Sequence, residues 1–267
     1  SMKRALSACA VAMFAVFFFS GLASAQAKPV EINSCWMPEF ETYIAWKAVK
    51  EGWDKAEGIQ LKLHYFESGM AQMEALPAKQ WVLGSTGGVP MLVGALRHRA
   101  QLVALANDES LCNEVFVRAD SPILKTKGAN PQFPNVYGTA ETVKGKTVLC
   151  TTVSGSHYML SSWLKTLGLK DSDVVIKNMD QAQAVAAFES GVGDIVSLWA
   201  PFTYQAAAKG WKSAANMKDC GAMMPLVIVA DRAFAEKSPD LVVKFLKVYL
   251  KGVDWLKKEG ANAAPEY

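Results

Sequence analysis

Between an apolar run, "KTVLC", and an amphipathic segment, "HYMLSSWLKTLG", the chain carries five residues suited to gripping an anion: Thr152, Ser154, Gly155, Ser156 and His157. Leu160, Trp163, Leu164 and Leu167 recur at i, i+3, i+4 and i+7, which predicts a helix with one apolar face, stopped by Gly168. A helix start leaves backbone N–H groups without intrahelical partners and bears the positive end of the helix dipole. Gly155 lets the backbone approach a ligand closely, and the hydroxyls of Thr152, Ser154 and Ser156 add donors. Such a strand-to-helix junction can hold a sulfonate, a carboxylate or a nitrate. His157 could add a hydrogen bond. The plainer reading is that Ser154 or Ser156 is only an N-cap. A phosphate-cradling loop is excluded, because its Gly-Lys-Ser/Thr ending is missing.

Other residues could complete a small-molecule site. Trp36 and Trp199 offer flat faces with few rotors to freeze, suited to sandwiching a ligand body, with core packing as the alternative. Glu39, Glu41, Glu67, Asp108 and Glu109 lie in or beside loops. A carboxylate among them could face an ammonium on the ligand, although most loop acids are simply solvated. Trp46, Trp53, Trp163 and Trp255 fall at helical spacing and are read as packing. No Ser-His-Asp order, metal-ligand spacing or nucleotide fingerprint stands out, so no catalytic residue, metal or cofactor is expected.

The elements that would position these residues repeat. A first pass runs from strand "VEINSC" through "WMPEFE" to helix "TYIAWKAVKEGWDKAEG", strand "IQLKLHYF", helix "MAQMEALPAK" and strand "QWVLGSTGG". A second runs from "KTVLC" through "TTVSGS" to helix "HYMLSSWLKTLG", strand "DVVIKN", helix "AQAVAAFESG" and strand "VGDIVSLWAP". Both read β-α-β-α-β, which predicts parallel sheets with right-handed crossovers in two α/β lobes. The apolar runs "EVFV" and "LVIV" sit where the chain would cross between lobes. Lobe one is thus expected at residues 28–113 with 222–267, and lobe two at 114–221. Ligands sit outside the carboxyl ends of such strands, so the loops would meet in one cleft between the lobes.

Of the 267 residues, 51% are hydrophobic and 20% charged, enough chain for two moderate lobes. Residues 1–25 read as a cleavable secretory signal: a positive "MKR", an apolar core and a small-x-small "ASA" before Gln26. A membrane anchor fits worse, because the apolar run is short. Removing Lys3 and Arg4 lowers the formal charge from +3 to +1, and no basic run suggests nucleic acid. Export implies an oxidising compartment for Cys35, Cys112, Cys150 and Cys220, which allow three pairings. Cys112 and Cys220 each precede a proposed crossing and are the expected disulfide; the competing choice uses Cys35 or Cys150 at the cleft mouth.

The blocks "SGSHYMLSSWLKTLGL", "AVAAFESGVGDIVSLWAPFT" and "FAEKSPDLVVKFLKVYLKG", with "FESG", "ALPA", "GSTGGVP" and "KGKTV", resemble the sulfonate/taurine/nitrate-type substrate-binding proteins of bacterial ABC importers. The likeness runs in order from about Val30 to Gly252. It implies a type II periplasmic-binding-protein fold: two α/β lobes, joined by two crossing segments, that close around a small anionic or zwitterionic ligand. It also implies a periplasmic protein, expected to be a monomer, that hands its ligand to a membrane permease driven by a cytoplasmic ATPase. Carried over, the family's anion loop falls on Thr152, Ser154, Gly155, Ser156 and His157, its first-lobe loop on Ser85, Thr86 and Gly87, and its cleft aromatic on Trp199. "WAP" resembles the taurine binders, whereas Leu226 stands where those tend to carry an acid. The chain also ends at Tyr267, earlier than such proteins usually end, so a C-terminal segment is expected to be missing. A cofactor-free lyase-type enzyme on the same fold is the rival expectation, and a receptor-facing scaffold the third.

Overall fold

In a computed structural model, the described residues are 28–263 and 265–267; the signal-like segment lies outside them. They form two five-stranded sheets. The first has the order β2-β1-β3-β10-β4 and the second β7-β6-β8-β5-β9. The strands "VEINSC" and "KTVLC" therefore belong to different sheets.

In the first sheet, β1 (Val30–Trp36) pairs in parallel with β2 (Ile59–Tyr65) over its whole length. On its other side it pairs with β3 (Leu83–Gly87) at Ser34–Leu83 and Cys35–Gly84. Between these strands run α1 (Phe40–Lys50), the short α2 (Trp53–Ala56) and α3 (Gly69–Ala75). The single predicted helix over "TYIAWKAVKEGWDKAEG" is split at Gly52, whose φ of 70° a helix cannot continue through. After β3 come α4 (Gly88–Arg97) and β4 (Ala100–Asp108).

The second sheet repeats the plan. β6 (Thr147–Cys150) pairs in parallel with β7 (Val175–Asn178) and β8 (Ile195–Trp199). The intervening helices are α5 (Ala140–Val143), just before β6, then α6 (Gly155–Thr166) and α7 (Gln181–Glu189), with α8 (Phe202–Ala208) after β8. The chain closes with α9 (Arg232–Lys237) and α10 (Pro239–Ala263).

The repeat predicts parallel sheets, but neither sheet is purely parallel. β5 (Asn113–Val117) runs antiparallel to β8 and to β9 (Lys212–Asn216), and β10 (Pro225–Asp231) antiparallel to β3 and β4. The reason is the crossing itself. A chain that leaves one sheet at the cleft enters the other from the cleft side, against the direction of strands that end there. The two crossings run side by side. Glu109 N donates to Met224 O at 2.8 Å, Met224 N to Ser110 Oγ at 3.0 Å and Lys218 N to Ser110 O at 3.3 Å.

Each sheet is packed on both faces. Ile32, Trp36, Ile44, Phe245 and Tyr249 form one core of the first sheet, and Cys35, Met73, Trp81 and Val229 the other. Trp163 anchors one core of the second sheet with Val148 and Leu160, and Phe188 the other with Leu149 and Val196. Trp163 is fully buried, while Trp53 packs at the edge of the first core and Trp46 and Trp255 pack on Tyr43.

One half-buried cation ties the second sheet to its helix. The Arg118 guanidinium lies 3.9 Å from the Phe188 ring centre and donates to Phe188 O and Gly193 O, each at 2.7 Å. It thereby satisfies carbonyls at the C-terminal end of α7, where the helix dipole favours a positive charge. Replacing Arg118 with Ala should lower stability by about 2 kcal/mol in urea titration. Lys should restore only part, since it lacks the planar fork.

Candidate functional site

The carboxyl ends of β1, β3, β6 and β8 point at one another across the crossings, and the loops there line a narrow cavity of about 20 Å³. Lobe one contributes Met37 and Glu39 after β1, Gly69 at the start of α3, and Gly87 and Pro90 at the start of α4. Lobe two contributes Ser154 and Gly155 at the start of α6 and Trp199 at the end of β8. The crossings supply Glu109, Asn113, Met224 and Leu226.

Bare glycines keep the walls thin. A Cβ on Gly155 would stand 3.0 Å from Asn113 Oδ1, and one on Gly69 would drive into Pro90 and stand 3.0 Å from Thr86 Oγ1. Ser85 and Thr86 are fully buried behind this wall, their hydroxyls without partners among the described residues.

The anion loop is arranged differently from the sequence expectation. Ser154 is the N-cap of α6: its Oγ accepts from His157 N at 3.3 Å and donates to Thr151 O at 2.6 Å. Ser156 is fully buried beneath it, its Oγ 3.0 Å from Ser154 Oγ and 3.4 Å from Gln181 Nε2. Thr152 does not line the cavity; its N–H donates to Asn178 Oδ1 at 2.9 Å. His157 is turned away as well. Its Nδ1 accepts from Val153 N at 3.1 Å, so its Nε2 carries the hydrogen and donates to Asp171 Oδ2 at 3.0 Å. Of the five junction residues, the structure brings Ser154 and Gly155 to the cavity.

Three further expectations are corrected. Trp36 does not clamp the cleft: it is fully buried against Phe245, with Nε1 donating to Ser34 Oγ at 2.8 Å. Asp108 faces solvent and accepts from both N–H and hydroxyl of Ser110, which hold its carboxyl below the usual range; its neighbour Glu109 takes the cavity position. The Cys112–Cys220 bridge is not formed, since Cys35, Cys112, Cys150 and Cys220 are all free. Burial pushes the Cys112 thiol to about 11 and the Cys150 and Cys220 thiols to about 12, which disfavours the thiolate that disulfide chemistry needs.

The cavity is acidic. Glu39 and Glu109 line it, and Glu41 lies buried close behind. Burial raises all three carboxyls, Glu109 to about 7, Glu41 to about 8 and Glu39 well above its ordinary value. Repulsion from Glu109 adds to it for Glu39 and Glu41, and repulsion from Asp108 for Glu109, where a hydrogen bond from Asn113 acts the other way. No lysine, arginine or histidine lines the cavity among the described residues. Glu39 Oε2, Glu109 Oε1, Asn113 Oδ1 and Trp199 Nε1 are buried without a partner among those residues. Glu67 is exposed and outside the cavity. Asn113 and Met224 are additions that sequence reasoning missed; the signal for Asn113 was its position at the start of "NEVFV".

Comparison with known proteins agrees with this architecture. A protein of Brachyspira hyodysenteriae named as an ABC transporter periplasmic binding protein is 33% identical over 80% of this chain and 61% of its own length. The taurine-binding periplasmic protein of Escherichia coli is 29% identical over 76% of this chain and 62% of its own. The chain thus spans about three fifths of the length of these relatives. Two solved structures share the fold: the periplasmic aliphatic sulphonate binding protein of Escherichia coli (TM-score 0.70, 21% identity, 88% of this chain and 76% of that one) and the alkanesulfonate-binding protein of Xanthomonas axonopodis pv. citri bound to MOPS (TM-score 0.73, 18% identity, 88% and 77%). The two mixed sheets accordingly have the type II periplasmic-binding-protein fold. The sequence profile of the NMT1-like family matches residues 25–265, and the chain belongs to that family.

Proposed function

We propose that this protein is the extracytoplasmic substrate-binding component of an ABC importer, capturing a small solute between its lobes and delivering it to a permease driven by an ATPase. The observation that carries the reading is the cavity shared by both lobes, whose buried polar atoms on Glu39, Glu109, Asn113 and Trp199 lack protein partners. Buried polar groups are normally paired, so these four are suited to a ligand. Residues 28–113 with 222–267 would close on residues 114–221 about the paired crossings, and the protein would act as a monomer. An anionic group on the solute would meet the N-terminus of α6 at Gly155, where backbone N–H groups and the dipole favour it. Relatives named as binding proteins support a binder over an enzyme.

The test is a thermal-shift and calorimetric panel of sulfonates, amino acids, amines and small carboxylates. A true ligand at 100 times its Kd should add about 2.7 kcal/mol to stability, with no product formed. Gly155→Val, which fills the cavity, should abolish that shift. A panel without any binder, or a shift that survives Gly155→Val, would remove the reading.

A further inference from the structure

We propose that the solute carries a protonated nitrogen, seated between the carboxylates of Glu39 and Glu109 with Asn113 Oδ1 as a third acceptor, so that simple anions are rejected. This rests on the cleft being a solute site and goes on to name the solute's charge.

Three observations converge on it. The first is the charge of the lining: two carboxyls face the cavity, a third lies behind them, and no basic side chain answers them among the described residues. The second is the inventory of unpaired atoms. Glu39 Oε2 and Glu109 Oε1 are acceptors when ionised, and Glu39 and Glu109 are 6% and 3% exposed. The third is independent of any carboxyl. Asn113 is 1% exposed, and its Nδ2 donates to Glu109 O at 3.2 Å, which fixes the amide so that Oδ1 is an unpartnered acceptor beside Gly155. An amide oxygen cannot become a donor by taking up a proton at ordinary pH, so its missing partner is an N–H or O–H of the ligand.

An ammonium supplies up to three donors and one positive charge, which matches two carboxylates and an amide oxygen. A sulfonate or carboxylate alone brings only acceptors and a charge of the wrong sign. If it occupied the cavity, protonated Glu39 and Glu109 would have to serve as its donors, and its binding would weaken as they ionise. A zwitterion meets both ends of the site, with its anion at the start of α6. The unpaired Trp199 Nε1 is the one lining side-chain donor left for that end.

The experiment uses matched probes that exchange the nitrogen for oxygen: 2-aminoethanesulfonate against 2-hydroxyethanesulfonate, and 4-aminobutyrate against 4-hydroxybutyrate, with butylamine as a plain cation. Binding is measured by titration calorimetry at pH 6 and pH 8 on the wild type, Glu39→Gln and Glu109→Gln. At least one nitrogen-bearing probe should bind, its hydroxy partner at least tenfold more weakly, and each glutamine variant should weaken it at least tenfold with its unfolding transition intact. Affinity should rise from pH 6 to pH 8. Equal binding of the hydroxy partner, full affinity in both glutamine variants, or affinity that falls with rising pH overturns the charge assignment. A hydroxy probe that binds alone overturns it while leaving the solute site standing; no binding by any probe, together with no binder in the broader panel, overturns both.

Discussion

Lowering the pH from 8 to 5 is expected to stabilise the ligand-free protein by several kcal/mol, against the usual behaviour of a domain with paired carboxylates. Glu39, Glu41 and Glu109 have folded-state values raised above the ordinary 4.5. Between about pH 4.5 and 8 the folded chain therefore holds more protons than the unfolded chain, and stability falls as pH rises. A carboxyl moved from 4.5 to about 7, as for Glu109, contributes a penalty of roughly 3 kcal/mol once pH exceeds 7, at 1.36 kcal/mol per pH unit. Glu41, raised to about 8, extends the decline toward that pH. The three titrate as one coupled group, so their penalties do not add. Two titratable neighbours leave the slope unchanged: Cys112 at about 11 and Tyr249 of α10, pushed up by burial and by these acids, both stay neutral across this range. Asp108 and Asp231, held low by hydrogen bonds and, for Asp231, by Lys79, act in the opposite sense but only in more acidic solution. Urea midpoints across pH 5–8 read the slope. Double replacement Glu39→Gln with Glu109→Gln should flatten it and raise stability at pH 8. A flat or rising wild-type profile would contradict a shared burial of the three carboxyls.

Gly84→Ala should be the most damaging single methyl added to lobe one, with a loss of about 3 kcal/mol or more. Gly84 pairs with Cys35 where β3 lies against β1. A Cβ there would stand 2.7 Å from Cys35 Sγ and 2.8 Å from Cys35 N, and closer still to Cys35 O. β1 cannot retreat, because its far edge is paired with β2 along all seven residues. A flexible side chain could swing aside; here the obstacle is backbone. Against a typical total of 5–15 kcal/mol, such a loss leaves a visibly weakened fold. Gly87→Ala is the matched control, since its Cβ would meet nothing closer than 3.5 Å. Urea unfolding should separate the two variants clearly, and equal midpoints would mean that β1 and β3 are less closely apposed than described.

The repeated strand–helix pattern made the two sheets legible, because parallel β-α-β units are local and their signals are periodic. Glu39, Gly87, Ser154, Gly155 and Trp199 were legible as cavity residues for the same reason: each follows a strand at its carboxyl end. The crossings were legible through "EVFV" and "LVIV", but two edge strands beside them were not. β4 and β9 are edge strands paired on one side only, and "AQLVALAND" and "KSAAN" lack a strong apolar alternation. Asn113 and Met224 meet through pairings of distant segments, which no local pattern encodes. Trp36 was a readable error. Strand parity places it on the face of Ile32 and Ser34, one step from Cys35, and that face is the core packed on Phe245. Ser156 and His157 show the limit of a helix-start pattern: it locates the backbone turn but leaves open which side chains turn inward or sideways.

The adjacency of the crossings also bears on modularity. Everything in the second sheet is one uninterrupted stretch of chain, inserted between β4 and β10. Asp108 and Pro225, the residues that flank the insertion, are paired neighbours in the first sheet. A short turn joining them would turn β4 and β10 into an ordinary antiparallel hairpin, the connection such strands most readily accept. The second sheet is thus a removable cassette, and its host could be spliced shut without stretching a single strand. Glu39 would remain with the host and Asn113 would leave with the cassette, so the pocket exists only where the two pieces of gene are joined.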